Sequence, residues 1–89
     1  MIRHRMYDLG DSPLDVTVHE IIDSMNTICI QNIASSGNAY IGDISVSGSS
    51  YGHKLFPGSS ITMELSASSH VYAVGDPDVR IAVLEIDIT

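Results

Sequence analysis

Ile61-Thr62-Met63-Glu64-Leu65-Ser66-Ala67 is the most regular stretch of the chain, and its apolar and polar residues alternate without a break. Side chains of a β-strand point alternately to the two faces of its sheet, so this pattern predicts a strand with one buried and one solvated face. Nowhere do apolar residues recur at helical spacing over three turns. We therefore predict a chain built from strands.

Five further segments have the composition of strands. The chain contains 12 Ile, 7 Val and 4 Thr, whose branched side chains suit a pleated sheet, and its 13 Ser and 7 Gly punctuate them. The last of these segments, Val79–Ile88, is apolar on both faces as far as Leu84, which predicts a central strand covered on both faces. From Glu85 onward polar and apolar residues alternate, which predicts that one face is solvated there. The predicted strands are Asp15–Asp23, Thr27–Ile33, Ala39–Ser47, His70–Val74 and Val79–Ile88.

Together these strands predict an all-β fold, namely a compact antiparallel β-sandwich or small barrel of about six to eight short strands. The chain has 89 residues, of which 44% are hydrophobic, so it is long enough for one core but not for two. We predict an N-terminal arm or extended segment over residues 1–14 and a single β-sandwich domain over residues 15–89.

The charge of the chain bears on its partners. Four Lys and Arg face eleven Asp and Glu, which gives a net charge of −7. Binding to nucleic acid or to an anionic membrane surface needs a basic face, and four cations among eleven acids cannot build one. The first residues carry charges but lack the apolar stretch that a signal peptide needs. No apolar run in the chain approaches the length of a membrane span. We predict no nucleic-acid partner, no membrane partner, no signal peptide and no transmembrane segment.

The N-terminus differs in charge from the rest of the chain. Arg3 and Arg5 are half of all its cations, whereas the chain from Tyr7 onward has two cations and all eleven acids. A basic tip on an acidic body suggests an arm that contacts an acidic surface on a neighbouring molecule through Arg3, Arg5 and Tyr7. The alternative is a solvated, frayed terminus.

The residues that usually carry catalysis or bind metals are scattered. The four histidines share no metal-binding spacing, and a lone Cys29 on a central strand predicts a buried, inert thiol rather than a disulfide or zinc site. Asp76-Pro77-Asp78 offers two carboxylates, either for calcium or, more simply, for a turn. We predict no catalytic residues, no metal, no cofactor and no enzymatic activity. The histidines are His4, His19, His53 and His70.

The predicted loop Gly48–Ser60 is the most informative stretch for function. It places Tyr51, His53, Lys54 and Phe56 on one long connection, and long loops usually serve a function. Such an aromatic and basic cluster suits contact with a protein or a sugar. The alternative is that Leu55 and Phe56 fold back to plug the end of the sandwich, with Pro57-Gly58 forming a type II turn.

Three segments resemble a known class of proteins. They are Tyr40-Ile41-Gly42-Asp43-Ile44-Ser45-Val46-Ser47, then Tyr51-Gly52, Leu55, Pro57-Gly58 and Ile61, and finally Val71-Tyr72-Ala73-Val74. This chain resembles small all-β structural proteins of tailed bacteriophages over roughly residues 27–86. The shared residues belong to turns and core, so the resemblance carries no active site with it.

The resemblance implies a virion component made in the host cytoplasm, above all a capsid decoration or cement protein. Such a protein would bind the major capsid protein or another virion protein as a dimer or trimer and stabilise the assembled shell. Two alternatives remain open from the sequence. One is a receptor- or carbohydrate-binding module of a phage tail, and the other is a homo-oligomeric assembly protein whose edge strands pair between copies.

Overall fold

The computed structural model describes residues 2–17, 25–66 and 69–88, and all the strands in these ranges pair antiparallel. The strands are β1 (Ile2–Asp8), β2 (Leu14–Asp15), β3 (Met25–Asn32), β4 (Ala39–Gly42), β5 (His53–Leu55), β6 (Ser60–Leu65), β7 (Tyr72–Gly75) and β8 (Arg80–Ile88). They form two four-stranded sheets, in the orders β1-β8-β3-β6 and β2-β7-β4-β5. The prediction of an all-β fold with about six to eight short antiparallel strands is confirmed.

The core lies between the two sheets. In β3 the buried Ile28 and Ile30 alternate with residues that point away from the core, and in β8 Ile81 and Val83 do the same. The second sheet meets them with its own buried apolar residues, so each sheet covers the apolar face of the other. Removing this surface from water stabilises the fold by about 25 cal/mol per Å². The second sheet contributes Ala39, Ile41, Leu55 and Ala73.

The predicted strand Ala39–Ser47 is too long, because β4 ends at Gly42. The Asp43 carboxylate accepts a hydrogen bond from the Ser45 amide at 2.8 Å, and the Val46 amide donates to the Asp43 carbonyl at 3.0 Å, so the chain turns there. A side-chain acceptor of this kind competes with the ladder of a sheet. Ile44 and Val46, which would share one face of a continuous strand, are therefore separated: Ile44 is 68% exposed and Val46 is buried.

The predicted loop Gly48–Ser60 contains a strand that the sequence did not indicate, because β5 pairs with β4 inside it. The type II turn predicted at Pro57-Gly58 is confirmed. Gly58 has a φ of 82°, and the Ser59 amide donates to the Phe56 carbonyl at 2.9 Å. The left-handed conformation at this position explains why a glycine follows the proline.

The N-terminal segment also belongs to the sandwich. Residues Ile2–Asp8 form β1, which pairs along its whole length with β8, so this part of the predicted arm is an extended edge strand. Of the predicted strand Asp15–Asp23, the structure places Asp15 in β2, and residues 18–24 lie outside the described residues. The remaining strands lie within about two residues of their predicted ends where both ends are described.

Two predictions about the first sheet are wrong. Leu84 and Ile86 are 40% and 37% exposed, whereas Glu85 is fully buried. β8 is therefore central in its sheet, but one of its two faces is not covered. Cys29 is half-buried rather than buried, because it lies on the same uncovered face, opposite Leu84. Only the face toward the second sheet is fully covered.

Candidate functional site

Tyr40 is the base of the strongest candidate binding surface. It lies in β4 on the face of the second sheet that points away from the core, and it is only 9% exposed. Its hydroxyl donates to one carboxylate oxygen of Asp76 at 3.2 Å, while the other oxygen accepts from the Asn38 amide at 2.9 Å. Val46 and Val74 pack beside the tyrosine. The ring is therefore fixed by packing and by a hydrogen bond at its tip.

Lys54 lies next to Tyr40 because β4 and β5 pair in a register that sets these two residues opposite each other. The Lys54 ammonium nitrogen is 5.9 Å from the centre of the Tyr40 ring and 5.4 Å from the centre of the Phe56 ring. Each distance is within the range of a cation–π interaction, worth about 0.5–1 kcal/mol at an exposed site. The lysine is thus positioned between two aromatic rings.

Tyr51 completes the cluster. Its ring centre lies 5.1 Å from that of Tyr40 at an interplanar angle of 44°. Tyr51 and Phe56 are 44% and 57% exposed, so they are available to a partner although their positions are constrained. We call this cluster the aromatic–lysine surface; it consists of Tyr40, Tyr51, Lys54 and Phe56.

The backbone under this surface is anchored to the core. Leu55, between Lys54 and Phe56, is fully buried in the core. The buried Asn32 side chain donates to the Leu55 carbonyl at 3.0 Å, and the Asn32 carbonyl accepts from the Gly58 amide at 2.8 Å. The segment was expected either to contact a partner or to plug the end of the sandwich with Leu55 and Phe56. Leu55 packs in the core, whereas Phe56 lies on the surface.

His53, predicted in the same cluster, lies elsewhere. Its neighbour in sequence, Lys54, points outward, and alternation along β5 turns His53 to the other face. There it lines a cleft of about 380 Å³ with the half-buried Ile61 and Met63 and with His70. The sequence therefore predicted one cluster, and the structure divides it into three residues on the aromatic–lysine surface and one in this cleft.

Arg3, Arg5 and Tyr7 share the face of β1 that points toward the core side of the first sheet. The fully buried Glu85 of β8 lies directly opposite Arg3 in the register. Burial raises the pKa of the Tyr7 hydroxyl. The positive charge of Arg5 and a hydrogen bond between the two side chains oppose that rise. Opposite charges across two strands favour the pairing of β1 with β8. These residues belong to the first sheet, whereas the aromatic–lysine surface belongs to the second.

A polar cluster joins β2 to the segment before β7. The Asp15 carboxylate lies 2.9 Å from Nδ1 of His70 and accepts hydrogen bonds from the amide and the hydroxyl of Thr17. Burial acts to raise the pKa of Asp15, but the hydrogen bonds from Thr17 and the proximity of His70 outweigh it, so the pKa is lowered. This cluster fixes a strand of only two residues.

The described residues offer little for metal chemistry. Within residues 2–17, 25–66 and 69–88, no three His, Cys, Asp or Glu side chains are placed to hold a metal ion. Both carboxylate oxygens of Asp76 accept hydrogen bonds from the fold, and Asp78 occupies the turn with a φ of 65°. The same ranges contain no helix long and apolar enough to cross a bilayer.

Sequence reasoning missed Tyr40 and Asp76 as parts of the site. Both are distant in sequence from the Tyr51–Phe56 segment and come together with it only through the pairing of β4 with β5 and with β7. The one available signal was the turn character of Asp76-Pro77-Asp78, which says nothing about Tyr40.

Comparison with known proteins assigns the chain to no family. No protein-family model matches the chain, and a search of curated proteins gives no match.

Proposed function

We propose that this chain is a non-enzymatic structural protein of a tailed-phage virion, which binds the assembled capsid through its aromatic–lysine surface and stabilises the shell. The observation that carries this proposal is that Lys54 is held between Tyr40 and Phe56 while Phe56 itself is 57% exposed. The resemblance to small all-β phage proteins supplies the virion as the setting.

The geometry of this surface is typical of a protein-binding site. Tyrosine is enriched among residues that dominate binding energy, and a side chain already held in place loses less conformational entropy when the partner arrives. The exposed Tyr51 ring packs against Tyr40, which is itself fixed through Asp76, and the Lys54 ammonium group lies near the rings of Tyr40 and Phe56. The surface therefore presents exposed aromatic area at a low entropic cost.

The mechanism of stabilisation would be preferential binding. A protein that binds the closed shell more tightly than its separated subunits shifts the equilibrium toward the closed shell. Copies that are themselves joined as dimers or trimers would strengthen this effect through multivalency. Such a role requires shape and charge complementarity, and it requires no catalytic residue.

A receptor- or carbohydrate-binding module remains the second candidate because Tyr51 and Phe56 are exposed aromatic rings. The position of Lys54 favours the protein partner, since its ammonium group already lies near the Phe56 ring, where a sugar would otherwise stack. Specific retention of the chain on a glycan array would support the carbohydrate alternative over the capsid.

The proposal is tested with capsids of a tailed phage whose genome encodes the chain, prepared without it. We expect the purified chain to co-sediment with these capsids at a fixed stoichiometry, to bind their dissociated subunits at least about 10-fold more weakly, and to raise the temperature at which the capsids open. Equal affinity for capsids and subunits, or no binding to either, would contradict the proposal.

A further inference from the structure

Strand β1 is the longer of the two edge strands of the first sheet, and its outer edge carries no other strand among the described residues. It contains no proline or glycine, and its pairing with β8 runs without a bulge. Proteins commonly protect a long edge with proline, a bulge or a very short strand, because unpaired backbone groups pair readily with another chain. None of these three devices occurs in β1, and its protection as an edge is limited to its charged side chains.

The hydrogen-bonding direction along β1 follows from its register. The Leu9 amide donates to the Val79 carbonyl at 2.9 Å, and this pair continues the β1–β8 register. In an antiparallel ladder, residues that bond the neighbouring strand alternate with residues whose N–H and C=O point the other way. The odd-numbered residues therefore bond β8, and the even-numbered residues from Ile2 to Asp8 turn toward the open edge.

Exposed apolar side chains lie beside this edge. On the outer face of the first sheet, Ile2 and Met6 are 66% and 55% exposed, and Leu84 and Ile86 of the adjacent β8 are 40% and 37% exposed. The opposite edge of the sheet, β6, presents serine, threonine and glutamate at its even-numbered positions. The open edge that is bordered by apolar surface is therefore that of β1.

We propose that β1 is a dimerisation edge, and that the β1 strands of two copies of this chain pair antiparallel about a two-fold axis. The pairing joins the two first sheets into one sheet of eight strands. It pairs the outward N–H and C=O groups of at least three of the four even-numbered residues in each strand and brings apolar side chains of the two outer faces together. This inference does not depend on the proposed capsid function.

Charge selects the register of this pair. Two-fold symmetry and the alternation of β1 allow three alignments that pair at least five residues per strand, and their axes pass through His4, Arg5 or Met6. The His4 alignment sets Arg3 of one copy opposite Arg5 of the other, and the Arg5 alignment sets the two Arg5 residues opposite each other. Like charges directly opposite destabilise an antiparallel pair.

The Met6 alignment has no such conflict. It sets His4 of each copy opposite Asp8 of the other, and Arg5 opposite Tyr7, while the two Met6 side chains pack on each other. A hydrogen bond between His4 and the Asp8 carboxylate, which also accepts from Arg80 of its own chain, and the apolar Met6 pair stabilise this alignment. The register centred on Met6 is therefore the one in which we expect the dimer to form.

The first test is sedimentation velocity of the full chain. We expect a dimer, and we expect Met6→Lys to raise its dissociation constant about 10-fold or more, because it sets two lysines opposite each other. Ile44→Lys is the matched control, since Ile44 is also exposed and lies outside the first sheet. A monomer at about 1 mM wild-type chain, or a dimer weakened equally by both substitutions, would overturn the proposal.

The second test reads the register directly, in a Cys29→Ser background. Opposed residues in a hydrogen-bonded antiparallel pair have Cα atoms about 5.5 Å apart, which a disulfide can bridge. We expect Met6→Cys to form a disulfide-linked dimer under mild oxidation and His4→Cys to stay largely monomeric. Cross-linking through His4→Cys instead, or a dimer that is lost in Phe56→Ala, would show that this interface is wrong.

Discussion

Two buried asparagines of β3 occupy similar positions but have different surroundings. The Asn32 side chain donates to the carbonyls of Gly37 and Leu55 and accepts from the Ala34 amide. The Asn26 side chain is equally buried, yet neither its nitrogen nor its oxygen has a hydrogen-bond partner among the described residues. Burying an unpaired amide costs free energy, whereas a fully bonded amide stabilises the structure around it.

We therefore expect the same substitution to have unequal effects at the two positions. Asn32→Ala leaves three backbone groups without their partner and should lower the free energy of unfolding by about 3 kcal/mol. Asn26→Ala removes an unpaired amide and should change it by less than about 1 kcal/mol. Urea denaturation of both variants measures the difference, and equal losses would contradict the hydrogen bonds described here.

Asp15 provides a pH-dependent contribution to stability. Because its pKa is lowered in the folded chain, its ionised form stabilises the fold above the unfolded pKa of about 3.9, and this contribution is lost as the pH falls through the folded pKa. The side chain is 39% exposed, so the contribution is at most about 1 kcal/mol.

We expect Asp15→Asn to melt below the wild type at neutral pH and at the same temperature near pH 2. Thermal melting between these limits checks this, and Asp11→Asn, at an exposed position, controls for the loss of one negative charge. A difference between Asp15→Asn and the wild type that persists at pH 2 would mean that packing, not ionisation, is responsible.

Glu85 shows where residue-level prediction fails. The alternation of the last strand predicted a solvated glutamate, yet Glu85 is buried and its neighbour Ile86 is partly exposed. Arg3 lies opposite Glu85 in the β1–β8 register, although it is far away in sequence. The alternation of side chains along one strand does not show which of its two faces will lie beside a cation from a distant part of the chain.

At the scale of elements, the turn after β5 positions Phe56 next to Lys54. Gly58 has a φ of 82°, and a Cβ atom placed on it would meet no atom within 4 Å. We expect Gly58→Ala to destabilise the fold by about 1–2 kcal/mol through backbone strain alone. Gly10→Ala is the control, because Gly10 is equally uncrowded and has no positive φ.

Chemical denaturation of the two glycine variants measures the effect, and Gly58→Asn should recover part of the loss because asparagine tolerates this conformation. If Gly58→Ala is as stable as Gly10→Ala, the left-handed conformation at residue 58 is wrong. The turn would then not position Phe56 as described.

The strands that sequence analysis recovered are those whose pattern is local. β6 alternates regularly and was predicted within about two residues, whereas β5 has three residues and β1 carries three basic side chains in seven residues. Neither of the last two buries enough apolar surface to give a periodic signal. Both are strands because a partner strand accepts their hydrogen bonds, and that partner is distant in sequence.

At the scale of the whole molecule, the topology joins the ends of the chain. β1 and β8 are the first and last strands, and they are neighbours in the first sheet. Closing so long a loop costs entropy before the contacts compensate for it, so proteins dominated by such pairings fold slowly. We expect refolding in milliseconds to seconds by stopped-flow fluorescence of the tyrosines, and folding within microseconds would contradict this topology.

The fold class could be predicted because alternation and β-branched composition are properties of the whole chain. The candidate site could be predicted only in part. Tyr51, Lys54 and Phe56 are near one another in sequence, whereas Tyr40 joins them only once β4 and β5 have paired. His53 was included because it is close in sequence, and alternation along a strand separates it from the others.

Capsid binding through the aromatic–lysine surface can be tested with the affinity of two alanine variants for the capsids. Phe56 and Ile44 are exposed to similar extents, at 57% and 68%, but only Phe56 lies on the aromatic–lysine surface. We predict that Phe56→Ala raises the dissociation constant about 10-fold or more with unchanged melting, and that Ile44→Ala leaves it unchanged. Unchanged capsid affinity in Phe56→Ala, or an equal loss in both variants, would contradict the account.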